Sequence, residues 1–413
     1  MATSDTLPLH NTLAPRSAEE LAGIVRDSFA AGTAIYPIGG GTSLAYGMPA
    51  KTRGTGVSLA SLNRVIDYPA RDMTITVEAG ITMASLAAML AAERQQLPID
   101  VPHVAAATLG GVIATNWNGL RRYGLGTVRD YVIGISAVDG RGMPFKGGGR
   151  VVKNVAGYDF CKLLTGSFGT LGVITQVTLR VRPLPQKSML VATSCADMQS
   201  LDALLTVLAQ SQTTPVSLSV LAGSDWRDQS ALGNVQRSGA DAFYVVVGLE
   251  GSEPELDWMV GQLQREWQAL GLGHAASVIE PSALQPQIVE WTADDSAALI
   301  LKANVRPSGV VPFINAAREV DSNCSVLAYA GNGVVFVKFQ TFPATGLSRV
   351  LIGKLQPTAA ALGGHVVLIS NPSGSEMTLQ SVWGGNEGSV EVMRAVKRNF
   401  DPKGILNPGR FVI

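Results

Sequence analysis

The chain has 413 residues, 46% of them hydrophobic and 15% charged, which is apolar mass for more than one core and rules out a disordered chain. Its 32 basic and 32 acidic residues cancel, with no long run of one sign, so the basic face required by a nucleic-acid binder is missing. Cys161, Cys195 and Cys324 are too sparse for a disulfide scaffold or a cysteine metal site, and no stretch of about 18 apolar residues could span a bilayer. Met1 to Arg16 shows no basic cluster followed by an apolar stretch, so no signal peptide is expected and the reading is a cytoplasmic protein.

The first helix is set by Ser17 and Glu20 at capping-box spacing, by Leu21, Ile24 and Val25 on one face, and by Gly32 at its end. A strand over 34–38 runs into Gly39-Gly40-Gly41-Thr42-Ser43. Residues 73–78 alternate like a strand, 85–94 read as an alanine-rich helix, and strands are expected over 132–138 and 173–182. At Pro183-Leu184-Pro185 the texture changes. Beyond it, helices carried by Leu201, Leu204, Leu205 and Leu208, and by Leu256, Met259, Val260, Leu263 and Trp267, alternate with strands. Those strands are expected over 189–193, 243–249, 298–305, 325–330, 334–339 and 365–370, which suggests an antiparallel sheet with helices on one face.

The glycine run after the first strand is the most informative segment. Successive glycine amides can point into one concavity and hold an anion, and no Lys or Arg occurs from Tyr36 to Met48, so any phosphate there would be held by backbone. Thr42 and Ser43 add hydroxyl donors, although a flexible turn explains this run alone equally well. No GxxxxGK[ST] sequence occurs, and the one GxGxxA match, residues 271–276, follows a predicted helix where a Rossmann turn needs a strand.

A second cluster follows: Pro102-His103, then Thr108-Leu109-Gly110-Gly111-Val112-Ile113-Ala114, then Arg121-Arg122-Tyr123-Gly124. Later come Lys153-Asn154-Val155-Ala156-Gly157-Tyr158-Asp159, Gly169-Thr170-Leu171-Gly172-Val173-Ile174-Thr175 and Phe400-Asp401-Pro402 through Asn407-Pro408-Gly409-Arg410. In this order the segments resemble the FAD-linked oxidases of the vanillyl-alcohol-oxidase/p-cresol-methylhydroxylase (PCMH) type, densely over 17–183 and strongly at the C-terminus. The resemblance implies an α+β protein: a PCMH-type FAD-binding domain of two α+β subdomains over 1–185, an antiparallel-sheet α+β cap over 186–394, and a segment from 395 returning to the FAD domain. It also implies non-covalent FAD, with Pro37, Ile38, Gly39, Gly40, Gly41, Thr42, Ser43, Pro102, Thr108, Gly110, Gly111, Ile113, Ala114, Arg121, Tyr123, Gly124, Val173 and Ile174 as its candidate contacts.

Within the family, the Lys-Asn-Val-Ala-Gly-Tyr-Asp variant is similar to the FAD-binding (E) subunits of bacterial glycolate oxidases. That implies oxidation of glycolate to glyoxylate in a complex with a larger FAD-binding subunit and an iron–sulfur subunit, compatible with peripheral attachment to the inner membrane through them. Two other readings stay open: a free-standing FAD-dependent dehydrogenase of a small 2-hydroxy acid, and a structural subunit without catalysis. Catalytic relatives carry two histidines in a glycine-rich cap segment, and Tyr329 and Phe336 stand at those positions here. Of the four histidines, His10 is expected in a loose tail and His103 could link flavin covalently or simply pack at a turn; neither these nor His274 and His365 are spaced as a metal pair. Lys302 and Arg306 are expected to share a strand face with Asn304, as a carboxylate clamp or as a solvated face, and Trp383 to cover a pocket or to pack in the core.

Overall fold

The computed structural model describes residues 7–149, 157–239, 241–271, 276–294, 296–384 and 387–411. Two compact units divide them. One holds the residues up to Asn118, Thr127–Leu184 and the segment from 387; the other holds Gly119–Gly126 and the residues from Pro185 to Gly384.

The first unit contains two α+β layers. In the smaller, the parallel strands Leu9–Leu13, Gly54–Ser58 and Ala34–Ile38 lie in that order and pack with the helix Ala18–Ala31. His10 is therefore in an edge strand and not in a loose tail. Ser17 caps the helix, its hydroxyl accepting the Glu20 amide at 3.2 Å, and Gly32 closes it at φ 68°. Only half of the expected box forms, because the Glu20 carboxylate takes the Arg16 amide at 2.8 Å. The larger layer is an antiparallel sheet ordered Val65–Asp67, Thr74–Glu78, Val173–Arg180, Val132–Val138, Pro144–Gly148. The helices Met83–Ala92, Leu109–Thr115 and Phe160–Leu164 share with it a core that includes Ile75, Val77, Leu86, Ile113 and Val177. The helix Glu387–Phe400 also belongs to this unit, so the returning segment starts earlier than residue 395.

The second unit is built on an eight-stranded antiparallel sheet. Its order is Ser277–Ile279, Lys187–Cys195, Phe243–Gly251, Ser217–Ala222, Ser325–Tyr329, Val334–Phe339, Leu299–Asn304, His365–Ser370. The strands Ser217–Ala222 and Ser277–Ile279 escape the sequence reading, the first because its serines look like loop residues although Ser217 and Ser219 are fully buried in the sheet. Gly119–Gly126 joins this unit through close backbone contact: the Gly124 amide donates to the Val216 carbonyl at 3.1 Å, and a Cβ at Gly124 would stand 2.7 Å from Val216 Cα.

Strand alternation sorts the sheet's two faces. Phe243 lies under the Arg318 guanidinium of the helix Val310–Val320, at 4.5 Å. Residues of opposite parity, in register Tyr244–Leu221–Leu327–Phe336–Lys302, occupy the other face. Lys338 shares that second face and is almost fully buried. Its ammonium meets Asp294 at 2.8 Å and Asp225 at 3.1 Å and sits 4.3 Å from the Trp291 ring centre, while Trp291 Nε1 donates to Asp225 at 2.7 Å. The Asp294 carboxyl, whose own burial opposes the shift, is brought down to about 2 by hydrogen bonds from Lys338 and Ser296.

Lys338→Met keeps the packing but strands two carboxylates. Because both can partly resolvate, the expected cost is about 2–4 kcal/mol, below that of a fully buried pair, read as a lower denaturation midpoint. A carboxyl with a depressed folded pKa stabilises above its unfolded value and loses that contribution as pH falls towards the folded one. The wild-type advantage over the variant should therefore shrink between about pH 4 and about pH 2.

Candidate functional site: a glycine-walled cleft and a cationic corner

The strand Ala34–Ile38 ends against Thr108 and the 103–107 loop, and this forces the glycines. A Cβ on Gly40 would overlap the Ala106 carbonyl oxygen, one on Gly39 the Thr108 hydroxyl, and Gly41 turns at φ 74°. No amide from Gly39 to Ser43 donates to an acceptor among the described residues. These groups line an open cleft together with Leu44, Leu59, Gly110, Gly111, Ala114, Phe168, Gly169, Gly172, Val173, Ile174, Asn407 and Arg410. The Thr108 hydroxyl is buried without a hydrogen-bond partner. A wall of unpaired amides with one orphaned hydroxyl suits a ligand that brings several acceptor oxygens.

Of the predicted cofactor contacts, Pro37, Gly39, Gly40, Gly41, Thr42, Ser43, Thr108, Gly110, Gly111, Ala114, Val173 and Ile174 come together here. Ile38, Pro102 and Ile113 are not among the lining residues, and Ile113 is buried in the core of the larger layer. Arg121, Tyr123 and Gly124 lie in the second unit, where Arg121 pairs with Glu250 at 3.2 Å. Sequence reasoning missed the lining residues Phe168, Gly169, Gly172, Asn407 and Arg410, although all lie in or beside motifs that carried the resemblance. Lys153 to Ala156 and His274 fall outside the described residues. His103 is exposed, at φ 53°.

The second unit holds a separate cluster. The strand ends at Asn304, so Arg306 does not share the face of Lys302: it is exposed, its amide donates to Leu362 at 3.1 Å, and its side chain packs beside Gly363. The cation whose charge acts on Lys302 is Arg122. Burial, with the Arg122 charge second, holds the Lys302 amine down to about 8. The ammonium lies 5.7 Å from the centre of the Phe336 ring, which meets Tyr329 edge-on at 5.6 Å. Asn304 Nδ2 is 3.2 Å from His365 Nε2, and burial, then Lys302, lowers the pKa of that imidazole. Ser219, opposite Tyr329 in the ladder, has a buried hydroxyl with no partner. Trp383 packs in the core.

Residues 10–147 match the FAD binding domain, and residues 383–411 match the C-terminal domain of FAD linked oxidases. In these two segments the chain is similar to the PCMH-type FAD-linked oxidases. It is 36% identical over 197 residues to D-2-hydroxyglutarate dehydrogenase of Xanthomonas citri, covering 47% of this chain and 41% of that one. Against glycolate oxidase subunit GlcE of Escherichia coli it is 36% identical over 158 residues, 38% of this chain and 44% of that one. With GlcD of Bacillus subtilis the likeness is 26% over 432 residues, 96% and 88% of the two chains. The chain thus spans less than half the length of the first two of these relatives. Among solved structures, alkyldihydroxyacetonephosphate synthase shares the fold, with TM-score 0.69 and 18% identity over 96% of this chain and 76% of that one. No helix among the described residues is long and apolar enough to cross a membrane.

FAD is the cofactor, and the cleft suits it, since residues Gly39 to Ser43, whose amides have no acceptor among the described residues, and the Thr108 hydroxyl line it together. Gly40→Ala should abolish flavin retention by opening the wall against the Ala106 carbonyl. A Cβ at Gly41 would only touch Leu44 Cδ1 at 4.0 Å, so Gly41→Ala costs about 1–2 kcal/mol of left-handed strain and should keep its flavin. Flavin absorbance per chain reads both variants, and acid precipitation of the wild type should release the flavin intact.

Proposed function

We propose that the chain is the non-covalent FAD-binding subunit of a complex that oxidises glycolate to glyoxylate and passes the electrons to a carrier other than NAD. Its partners in this reading are a larger FAD-binding subunit and an iron–sulfur subunit. The observation that carries the reading is a cationic corner without a strong base. Lys302, under the influence of the Arg122 charge, offers a cation to one small carboxylate, while Tyr329 and Phe336, where the family resemblance places two histidines, form a buried aromatic pair. The likenesses to GlcE and GlcD support the choice of complex.

Oxidising a 2-hydroxy acid removes a hydroxyl proton and a hydride from the adjacent carbon. FAD, when bound, supplies the hydride acceptor. The protein must hold the carboxylate and take the proton. Lys302, with the Arg122 charge acting on it, can do the first. For the second, a phenol with an ordinary pKa of about 10 is a poor base at neutral pH, and a phenyl ring is none. A missing general base typically costs about 10²–10⁴-fold in rate.

The FAD-loaded single chain should therefore reduce a dye with glycolate or D-lactate at least about 100-fold more slowly than the complex reconstituted with the partner subunits. Equal rates would overturn the subunit reading in favour of a free-standing 2-hydroxy-acid dehydrogenase. One feature favours that second reading: an amine at about 8 is partly neutral in mildly alkaline solution and can accept a proton. In that case Lys302→Met would abolish turnover by the single chain.

A further inference from the structure

The glycine loop brings no cation of its own, yet the cleft contains one. Arg410 reaches it from the far end of the chain and is the only ionisable side chain among the described lining residues. It is 7% exposed. No carboxylate pairs with it among the described residues, and burial lowers its pKa, as expected for a guanidinium kept from both water and a counter-ion. Such a charge is costly unless something answers it.

Its hydrogen bonds show which part is free. Nη2 donates to the Leu44 carbonyl at 2.6 Å and to the Tyr46 carbonyl at 2.9 Å, across 366 and 364 residues of sequence. Those bonds use two of the five N–H groups of a guanidinium. Nε and Nη1 have no hydrogen bond among the described residues, and neither counts among the buried atoms left without a partner. The side chain is thus anchored by one nitrogen, with the rest of its fork uncommitted.

The segment bearing it is built into the wall. Ile35 donates to Ile405 at 2.7 Å and Asn407 to Ile35 at 2.9 Å, so the segment extends the edge of the strand that leads into the glycine loop. Asn407 Nδ2 donates to the Phe168 carbonyl at 2.6 Å, and Lys397 donates to Thr170 at 2.7 Å, tying the same segment to the opposite wall. Asp401, fully buried, orders the turn by accepting the Ile405 and Leu406 amides at 3.0 and 2.7 Å.

We propose that Arg410 is the cation that recognises the diphosphate of FAD, complementing the free amides of Gly39 to Ser43, and that the C-terminal segment is a strap whose docking delivers this charge. Backbone amides give the phosphate oxygens direction, and the guanidinium supplies the charge that glycine cannot.

The test titrates deflavinated protein with FAD, reading binding by quenching of flavin fluorescence, for the wild type, Arg410→Lys and Arg410→Gln. A charge-assisted bond contributes about 1.5–3 kcal/mol, so Arg410→Gln should weaken binding roughly 10–150-fold, with the melting temperature of the flavin-free protein unchanged. Arg410→Lys, which keeps the charge, should bind more tightly than Arg410→Gln. A side chain that only ties the Leu44 and Tyr46 carbonyls predicts that Arg410→Gln lowers the flavin-free melting temperature and that Arg410→Lys, whose ammonium still offers N–H groups to them, binds FAD like the wild type. That pattern, or FAD binding by Arg410→Gln within about threefold of wild type, overturns the proposal. If Arg410→Gln does not fold, Arg410→Lys decides: a loss beyond about 10-fold with an unchanged flavin-free melting temperature supports a specific guanidinium contact, and an equal fall in stability with and without FAD overturns it.

Discussion

Much in the first unit follows from one close approach, that of the Gly39–Gly40–Gly41 backbone to Ala106 and Thr108. Where two backbones pass this near, side chains cannot intervene, and the loop cannot curl back to satisfy its own amides. Five amides beside the cleft have no acceptor among the described residues. A ligand rich in acceptor oxygens suits this wall. The same economy explains why the two layers also meet at Gly80, where a Cβ would overlap the Leu59 carbonyl oxygen, and Gly169 and Gly172 bring a further loop and strand end to the cleft.

The second unit follows a different logic. Its broad antiparallel sheet buries one face against helices and uses the other for charge. Lys338 on that face is neutralised by two aspartates and roofed by Trp291, which makes it a structural clamp. Lys302, on the neighbouring strand, has an aromatic ring in front of it and another cation nearby, an environment that an anion would relieve. Two lysines on one sheet face thus differ in role because one has carboxylates within reach and the other has none among the described residues.

Segments distant in sequence complete both sites. Arg122 belongs to a short excursion, Gly119–Gly126, that leaves the first unit and docks on the second because Gly124 lets it lie against Val216. Arg410 belongs to the strap that closes the first unit's edge strand.

The sequence by itself determined what depends on local backbone chemistry and periodicity. The glycine loop, the first helix with its cap, the two α+β layers and most strands of the large sheet were legible because glycine content, capping residues and alternation act within a few residues. Family motifs carried the cofactor. Tertiary structure decided the rest. Arg306 lost its place beside Lys302 because the strand stops at Asn304, and alternation holds only while the strand lasts. His10 became part of a strand because Gly54–Ser58 offered it an edge to pair with. Arg122 and Arg410 reached their sites only through packing between segments far apart in the chain. Their charges could be counted in the sequence, but neither could be placed, because position in a folded chain is fixed by contacts that no local pattern encodes.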